Sequence, residues 1–225
     1  MAIPMKIDFV SDVSCPWCAL ALNALESALA RVGPEIDADL HFQPFELNPD
    51  MGKEGQEIVE HLTQKYGSGR TDIDRTQEAI RARGAELGFT FDLHKRTRIY
   101  NTLDAHRLLH WAGIEGKQRA LKHALFAAYF TEGRNPSDPG VLLELAARVG
   151  LDRSRAQEIL DSDEYQAEVR ARERFYHERG INAVPAVIVN DRYLVQGGQP
   201  AQVFEELLRR IAAETHAEIA RRSEA

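Results

Sequence analysis

The sequence predicts an α/β fold in which one sheet-containing domain is interrupted by a long helical insertion. Three observations lead there. β-patterned runs lie near the two ends of the chain, at residues 6–11 and 39–45 and again at 186–189 and 193–196. Between them, from about residue 54 to 180, apolar residues recur at helical spacing. Neither pair of terminal strands could bury its faces alone, so the two ends must share one sheet. The chain therefore divides into a discontinuous α/β domain, 1–53 with 181–225, and an all-helical insertion, 54–180, in the order βαβ, helices, ββα.

Each element has its own signal. Lys-Ile-Asp-Phe-Val-Ser at 6–11 places Ile7 and Phe9 on one face of a short buried strand. From Pro16 the pattern becomes helical through Leu22, Leu25, Leu29 and Val32, and Gly33-Pro34 supplies both the cap and the stop. The second strand carries Leu40 and Phe42 on one face. In the insertion, Ile58, Leu62 and Tyr66 mark one helix, and Ile73, Ile80 and Leu87 another that closes at Gly88. Asn101-Thr102 offers a cap for a helix bearing Leu108 and Leu109, and Leu121, Leu125, Phe126 and Tyr129 continue the pattern. Asp138-Pro139 and Asp152 are further helix starts. Tyr165, Val169 and Tyr176 line the last helix of the block. Asn190-Asp191 turns the C-terminal hairpin, and Pro200 opens a helix that should fray after Ala212.

Composition narrows the function. The 225 residues include 35 acidic and 28 basic side chains, a net charge of −7, and 44% are hydrophobic. Such a surface repels a nucleic acid duplex or an anionic membrane on average, so neither is an expected partner. No long apolar run spans a membrane and no apolar leader follows Met1, which points to the cytoplasm.

The two cysteines share one tetrapeptide, Cys15-Pro16-Trp17-Cys18. A bridge this short constrains almost no unfolded chain, so the pair is not a structural disulfide. Cys15 falls where a strand hands over to a helix. There the unpaired N–H groups and the positive end of the helix dipole favour a thiolate, whose pKa in such motifs falls from about 8.5 to roughly 3.5–7. Cys18, one turn on, is placed to resolve a mixed disulfide. Pro16 and Trp17 tune that balance, and Trp17 offers an apolar edge to a bound partner. A zinc site with His106 and His110 is the competing use of the thiols, but the separation is far from a zinc finger's and no second Cys pair exists. A second signal is Val184-Pro185 at the entry of a buried strand, where a proline cannot donate to the ladder; a cis bond and a trans proline at a strand start both remain open.

These segments together resemble the DsbA-like branch of the thioredoxin superfamily, and within it the FrnE-like cytoplasmic oxidoreductases. The resemblance rests on 11–18, Phe45-Glu-Leu-Asn-Pro49, Asn101-Thr-Leu-Asp-Ala-His-Arg107, 128–133 and 180–198. It implies a thioredoxin-like fold with the helical insertion over the active site, Cys15 as nucleophile, Cys18 as resolving thiol, and a cis Pro185 beside them, preceded by Val184. One departure stands out. Many relatives carry a buried carboxylate where this chain has Phe9, with Asp8 and Asp12 at other phases. His106 is then the first candidate for proton handling, against the plainer reading of a helix histidine downstream of a capping Asn101.

The expected function is thiol–disulfide oxidoreduction on a protein or small thiol, with no metal and no cofactor beyond the cysteine pair. Glutathione is a candidate co-substrate, and the chain is expected as a monomer or homodimer. The alternatives are a glutathione-dependent isomerase or transferase, similar to 2-hydroxychromene-2-carboxylate isomerase and the kappa-class transferases, and a non-catalytic metal-carrying module. The former relatives use a serine where Cys15 stands and need no second thiol, so the intact pair argues against them.

Overall fold

The computed structural model describes residues 2–52 and 54–223. Strand β1 (Ile3–Ser11) runs into helix α1 (Pro16–Val32), a single 3-10 turn (Gly33–Glu35) and strand β2 (Ile36–Pro44). The insertion follows: β3 (Gln56–Glu57), α2 (Ile58–Tyr66), α3 (Arg70–Glu86), β4 (Arg98–Ile99), α4 (Leu103–Ile114), α5 (Gln118–Phe126), a π-helical turn (Ala127–Thr131), α6 (Pro139–Arg148), α7 (Arg153–Leu160) and α8 (Gln166–Glu178). The chain then returns as β5 (Ala186–Val189), β6 (Tyr193–Gln196) and α9 (Ala201–Ser223).

Both ends of the chain meet in one four-stranded sheet of order β2-β1-β5-β6. The parallel β1–β2 ladder runs from Ile3 opposite Ile36 to Ser11 opposite Pro44. β5 pairs antiparallel with β1, Phe9 facing Val187 and Val10 facing Ala186. Asn190 fixes this register at the far end. Its N–H donates to the Lys6 carbonyl at 2.9 Å, and its side-chain oxygen accepts from the Lys6 N–H at 3.0 Å. Asn190 and Asp191 take φ of 52° and 54°, the left-handed conformation that the β5–β6 turn requires and that Asn and Asp tolerate.

Alternation along β1 builds the core. Ile3, Met5, Ile7 and Phe9 are buried in one cluster with Leu22 and Leu25 of α1 and Phe204, Leu208 and Ile211 of α9. Val10, on the opposite face, packs with Phe45, Tyr176, Ile181 and Ala186. Ile80, Leu108 and Leu125 of the insertion belong to the same cluster as β1, so a continuous apolar core joins insertion and sheet. Helix starts follow their sequence signals: Asp138 accepts from the Val141 N–H at 2.8 Å and Asp152 from the Arg155 N–H at 2.6 Å.

Four details differ from the sequence expectation. β1 and β2 begin earlier, at Ile3 and Ile36, because the parallel ladder continues through Ile3 and Met5, both buried. The insertion is not all-helical, since β3 and β4 form a separate two-stranded ribbon. Two residues per strand leave no alternation to read. Helix α5 passes into a π-helical turn rather than ending. Helix α9 continues past Ala212 to Ser223, in a segment where Thr215 bonds back to the Ile211 carbonyl at 2.9 Å and Arg210 sits 4.0 Å from Glu214 one turn on.

Phe9 has no exposed surface and meets Phe42 edge-on, with ring centroids 5.8 Å apart. Phe9→Ala should therefore lower unfolding stability by about 3–5 kcal/mol in urea titration. A loss below about 1 kcal/mol would show that β1 does not anchor the core.

Candidate active site

The turn between β1 and α1 is organised by one buried carboxylate. Asp12 accepts the Ser14 N–H at 3.1 Å, the Ser14 hydroxyl at 3.0 Å and the Leu47 N–H at 2.7 Å. It thereby ties the loop after β1 to the loop after β2. Burial pushes its carboxyl up, but the His106 imidazole and the Leu47 and Ser14 donors outweigh this and hold it below the usual carboxylate range.

Cys15 is the N-cap residue of α1, in extended backbone with φ −90° and ψ 112°. Its carbonyl accepts from the Cys18 N–H at 3.1 Å and the Ala19 N–H at 3.4 Å. No side chain caps this helix, so its positive end is left for the Cys15 sulfur. Pro16 occupies the first turn, where its missing N–H is one that would go unpaired.

The β1–β5 register brings the second signal alongside. With Val10 opposite Ala186, the chain just before β5 lies beside the Cys15 turn. The Val184–Pro185 bond is cis, and the Cys15 thiol donates to the Val184 carbonyl at 3.8 Å. Trp17 is half-buried under the Arg83 guanidinium, 5.5 Å from its ring, and packs on Gly198, where a Cβ would come within 3.1 Å of the indole. Arg83 in turn donates to the Gly198 carbonyl.

Cys15 opens onto a largely apolar cavity of about 330 Å³. Ser14, Pro16, Trp17 and Val184 line it from the sheet domain; Ile58, His61, Ile80 and Arg96 line it from the insertion. Cys15 is 3% exposed and Cys18 fully enclosed. Burial pushes the Cys18 thiol well up, the Cys15 sulfur beside it adds to this, and Lys122 opposes it.

Lys122 of α5 is a residue that sequence reasoning missed. It is fully buried, with its ammonium 4.9 Å from the Phe126 ring centroid. Burial pushes it down to about 8, with Cys18, Asp12 and Cys15 acting in the other direction. The signal was present: Lys122 stands one turn before Phe126 on the buried side of α5, where a charge is out of place. His106 is also buried. Its Nε2 lies 3.6 Å from Asp12, in ion-pair range but beyond hydrogen-bond reach, and has no bonded partner among the described residues. Lys122 and His106 both line a second cavity of about 510 Å³ between β2 and helices α4 and α5.

Asn101 is placed differently. Its side-chain oxygen accepts the Leu103 N–H at 2.9 Å in a turn that leads into α4, whose N-cap residue is Thr102, and its amide donates to the Pro49 carbonyl at 3.2 Å and to Glu46 at 3.4 Å. It does not line the Cys15 cavity. Glu46, pushed up to about 8 by burial and the nearby Glu173, with Arg170 opposing, is a second buried acid without a clear sequence signal. Among the described residues no three His, Cys, Asp or Glu side chains converge as a metal site, and no helix is long and apolar enough to cross a membrane.

A strand-to-helix Cys-x-x-Cys beside a proline loop, in a sheet built from both chain ends, is a thioredoxin-like arrangement. The model of the DSBA-like thioredoxin domain matches residues 6–209, and the chain belongs to that family. It is similar to the crystal structure of a probable DsbA oxidoreductase from Streptomyces coelicolor, with 32% identity, a TM-score of 0.86, and 92% of this chain and 89% of that one covered. The fold is also shared with a 2-hydroxychromene-2-carboxylate isomerase, at 18% identity, TM-score 0.70 and coverage of 95% and 98%. The cytosolic disulfide reductase DsbM from Pseudomonas aeruginosa, solved with GSH, is similar at 18% identity, TM-score 0.64 and coverage of 91% and 98%. No curated protein matches the chain.

The difference between the two thiols is directly measurable. In the reduced protein near pH 7, iodoacetamide should label Cys15, which reaches the cavity, well ahead of the enclosed Cys18. Faster labelling of Cys18, read by peptide mass spectrometry, would reverse the roles.

Proposed function

We propose that the protein is a thiol–disulfide oxidoreductase that works through Cys15 and Cys18. The observation that supports this most is the asymmetry of the pair: Cys15 caps a helix and meets a cavity, while Cys18 sits enclosed behind it near a buried amine. The Cys15 thiolate attacks one sulfur of a substrate disulfide. The S–S bond breaks, one substrate thiolate leaves, and a mixed disulfide forms on Cys15. Cys18 then loses its proton and attacks the Cys15 sulfur. The second substrate thiolate leaves, and a Cys15–Cys18 disulfide remains. Two electrons pass from enzyme to substrate; run backwards, the same steps oxidise a dithiol.

The second attack needs a base, because burial holds the Cys18 proton on. In this reading neutral Lys122 takes it, filling the place left by the apolar Phe9. The proton then has a route to water through the rear cavity that Lys122 shares with His106. The Val184 carbonyl, next to the Cys15 sulfur, pairs with the substrate backbone or amide during the mixed disulfide. In the cell, the reading favours cytoplasmic protein or small-molecule thiols as partners.

A second reading, a glutathione-dependent isomerase or transferase, draws on the apolar cavity, whose size suits a small aromatic substrate. It requires Cys15 alone, so Cys18→Ser separates the two. On the dithiol reading Cys15→Ser abolishes disulfide turnover, whereas Cys18→Ser leaves stable mixed disulfides on Cys15. Isomerase or conjugating activity that survives Cys18→Ser would favour the second reading.

Lys122 carries its own test. The resolving step should rise with pH through about 8, as the amine becomes a free acceptor, and then level off. Lys122→Met should slow that step by about 100-fold, accumulate mixed disulfide and remove the inflection. Lys122→Arg should not restore it, since a guanidinium stays charged. A Lys122→Met protein that resolves at the wild-type rate and pH profile would exclude this role.

A further inference from the structure

We propose that Arg96 anchors a carboxylate of a small thiol or disulfide substrate held in the Cys15 cavity. The inference rests on the dithiol reading and adds a substrate class to it.

Arg96 is 7% exposed, and its buried Nε has no hydrogen-bond partner among the described residues. No Asp or Glu carboxylate of the described residues comes within ion-pair distance of it. A guanidinium cannot shed its proton to escape burial, so an enclosed and unpaired one costs free energy that an anionic ligand would offset.

The side chain is also held in place. Its guanidinium lies over the rings of Tyr129 and Phe130, at 5.1 Å and 5.3 Å from their centroids. Both aromatics come from the π-helical turn, which is stitched to the Arg96 segment on either side. The Asp92 N–H donates to the Phe130 carbonyl at 2.9 Å, and the Tyr129 hydroxyl to the Arg98 carbonyl at 2.9 Å. The Thr131 hydroxyl donates to the Thr90 carbonyl at 2.6 Å. A cation fixed on an aromatic platform loses little freedom when it binds.

The cavity reads the same way. The chain carries seven more acidic than basic residues, yet among the described residues no Asp or Glu lines this cavity. Arg96 is, among the described residues, its one permanently charged lining residue. His61, the other ionisable nitrogen there, is held down by burial and by Lys65 and Arg96, and its Nδ1 is engaged by Gln56 at 2.8 Å. The remaining lining is apolar or carries neutral polar side chains such as Asn48, Thr76 and Gln77. A volume of about 330 Å³ fits a small molecule. Cys15 comes from the sheet domain and Arg96 from the insertion, so one ligand between them can offer sulfur to the first and carboxylate to the second.

Three matched disulfides test this on the unaltered protein: dithiodipropionic acid, its neutral dimethyl ester, and the cationic cystamine. Pre-reduced enzyme is mixed with each in a single turnover. The enzyme dithiol supplies both electrons and ends as the Cys15–Cys18 disulfide. Rates are divided by those of dithiothreitol with the same compounds. The acid should react about tenfold or more faster than the ester, and cystamine slowest. Arg96→Met should remove the preference through the apparent KM while sparing the ester, and Arg96→Lys should keep part of it. Absence of an acid preference in the wild type, or an equal loss for acid and ester in Arg96→Met, would overturn the proposal. Calorimetric binding of dithiodipropionate to Cys15→Ser separates the anchor from the chemistry. Binding weakened about tenfold by adding Arg96→Met supports the anchor even if no disulfide turns over, an outcome that would instead remove the dithiol reading. Binding unaffected by Arg96→Met counts against the anchor.

Discussion

The antiparallel pairing of β1 with β5 is the constraint on which the site depends. It joins segments far apart in the chain, with Cys15 and Val184 separated by 169 residues. Because a one-residue slip would turn every side chain to the other face, burial of Ile7 and Phe9 on one face and Val10 on the other opposes it, and the Asn190–Lys6 bonds pin the far end. Once fixed, the register sets the Val184 carbonyl beside the Cys15 sulfur. The cysteine pair alone would be a flexible dithiol. Its placement at the head of α1 and against the proline loop makes it a site with direction, one sulfur toward a cavity and one toward the protein interior.

The insertion supplies what the sheet domain lacks. Phe9 puts an apolar ring, with no exposed surface, at the position in β1 six residues before Cys15. The charged groups near the sulfurs come instead from the β1–α1 turn, as Asp12, and from the insertion, as Lys122, with the His106 imidazole packed beside Asp12. Their burial is costly in isolation, and they lie close enough to act on one another electrostatically. On the proposed reading the insertion is therefore part of the chemistry as well as a cover. It also brings Arg96 to the cavity through a π-helical turn, an irregularity of the kind that recurs at functional sites.

The sequence carried the large features because each had a local physical cause. Asp138-Pro139 and Asp152 start helices with the caps expected of them, and Asn190-Asp191 makes the turn that its left-handed backbone demands. The strand–Cys-Pro-Trp-Cys–helix order placed Cys15 at the head of α1, and Pro185 at a strand entry marked the neighbouring loop. What was not legible depends on tertiary contacts. The β3–β4 ribbon is too short for a period, and Arg96 sits in a polar run, His94-Lys95-Arg96-Thr97-Arg98, that reads as solvated surface. Among the described residues Lys122 is one of only two helix lysines, with Lys65, and although its place on the buried side of α5 is a local signal, its nearness to the cysteines comes from packing alone. Asn101 and His106 share one motif, yet only His106 approaches Asp12 beside the cysteine turn, because Asn101 is spent on the turn into α4 and on the loop after β2.

The most direct measurement is a redox equilibrium. The protein is brought to equilibrium in thiol–disulfide buffers of graded ratio, quenched with acid, and the state of each cysteine is counted by mass spectrometry. A reversible dithiol site predicts that Cys15 and Cys18 lose their thiols together, in one two-electron transition to an intramolecular disulfide. Modification of Cys15 alone as a persistent mixed disulfide, with Cys18 remaining a free thiol at every ratio, would contradict it.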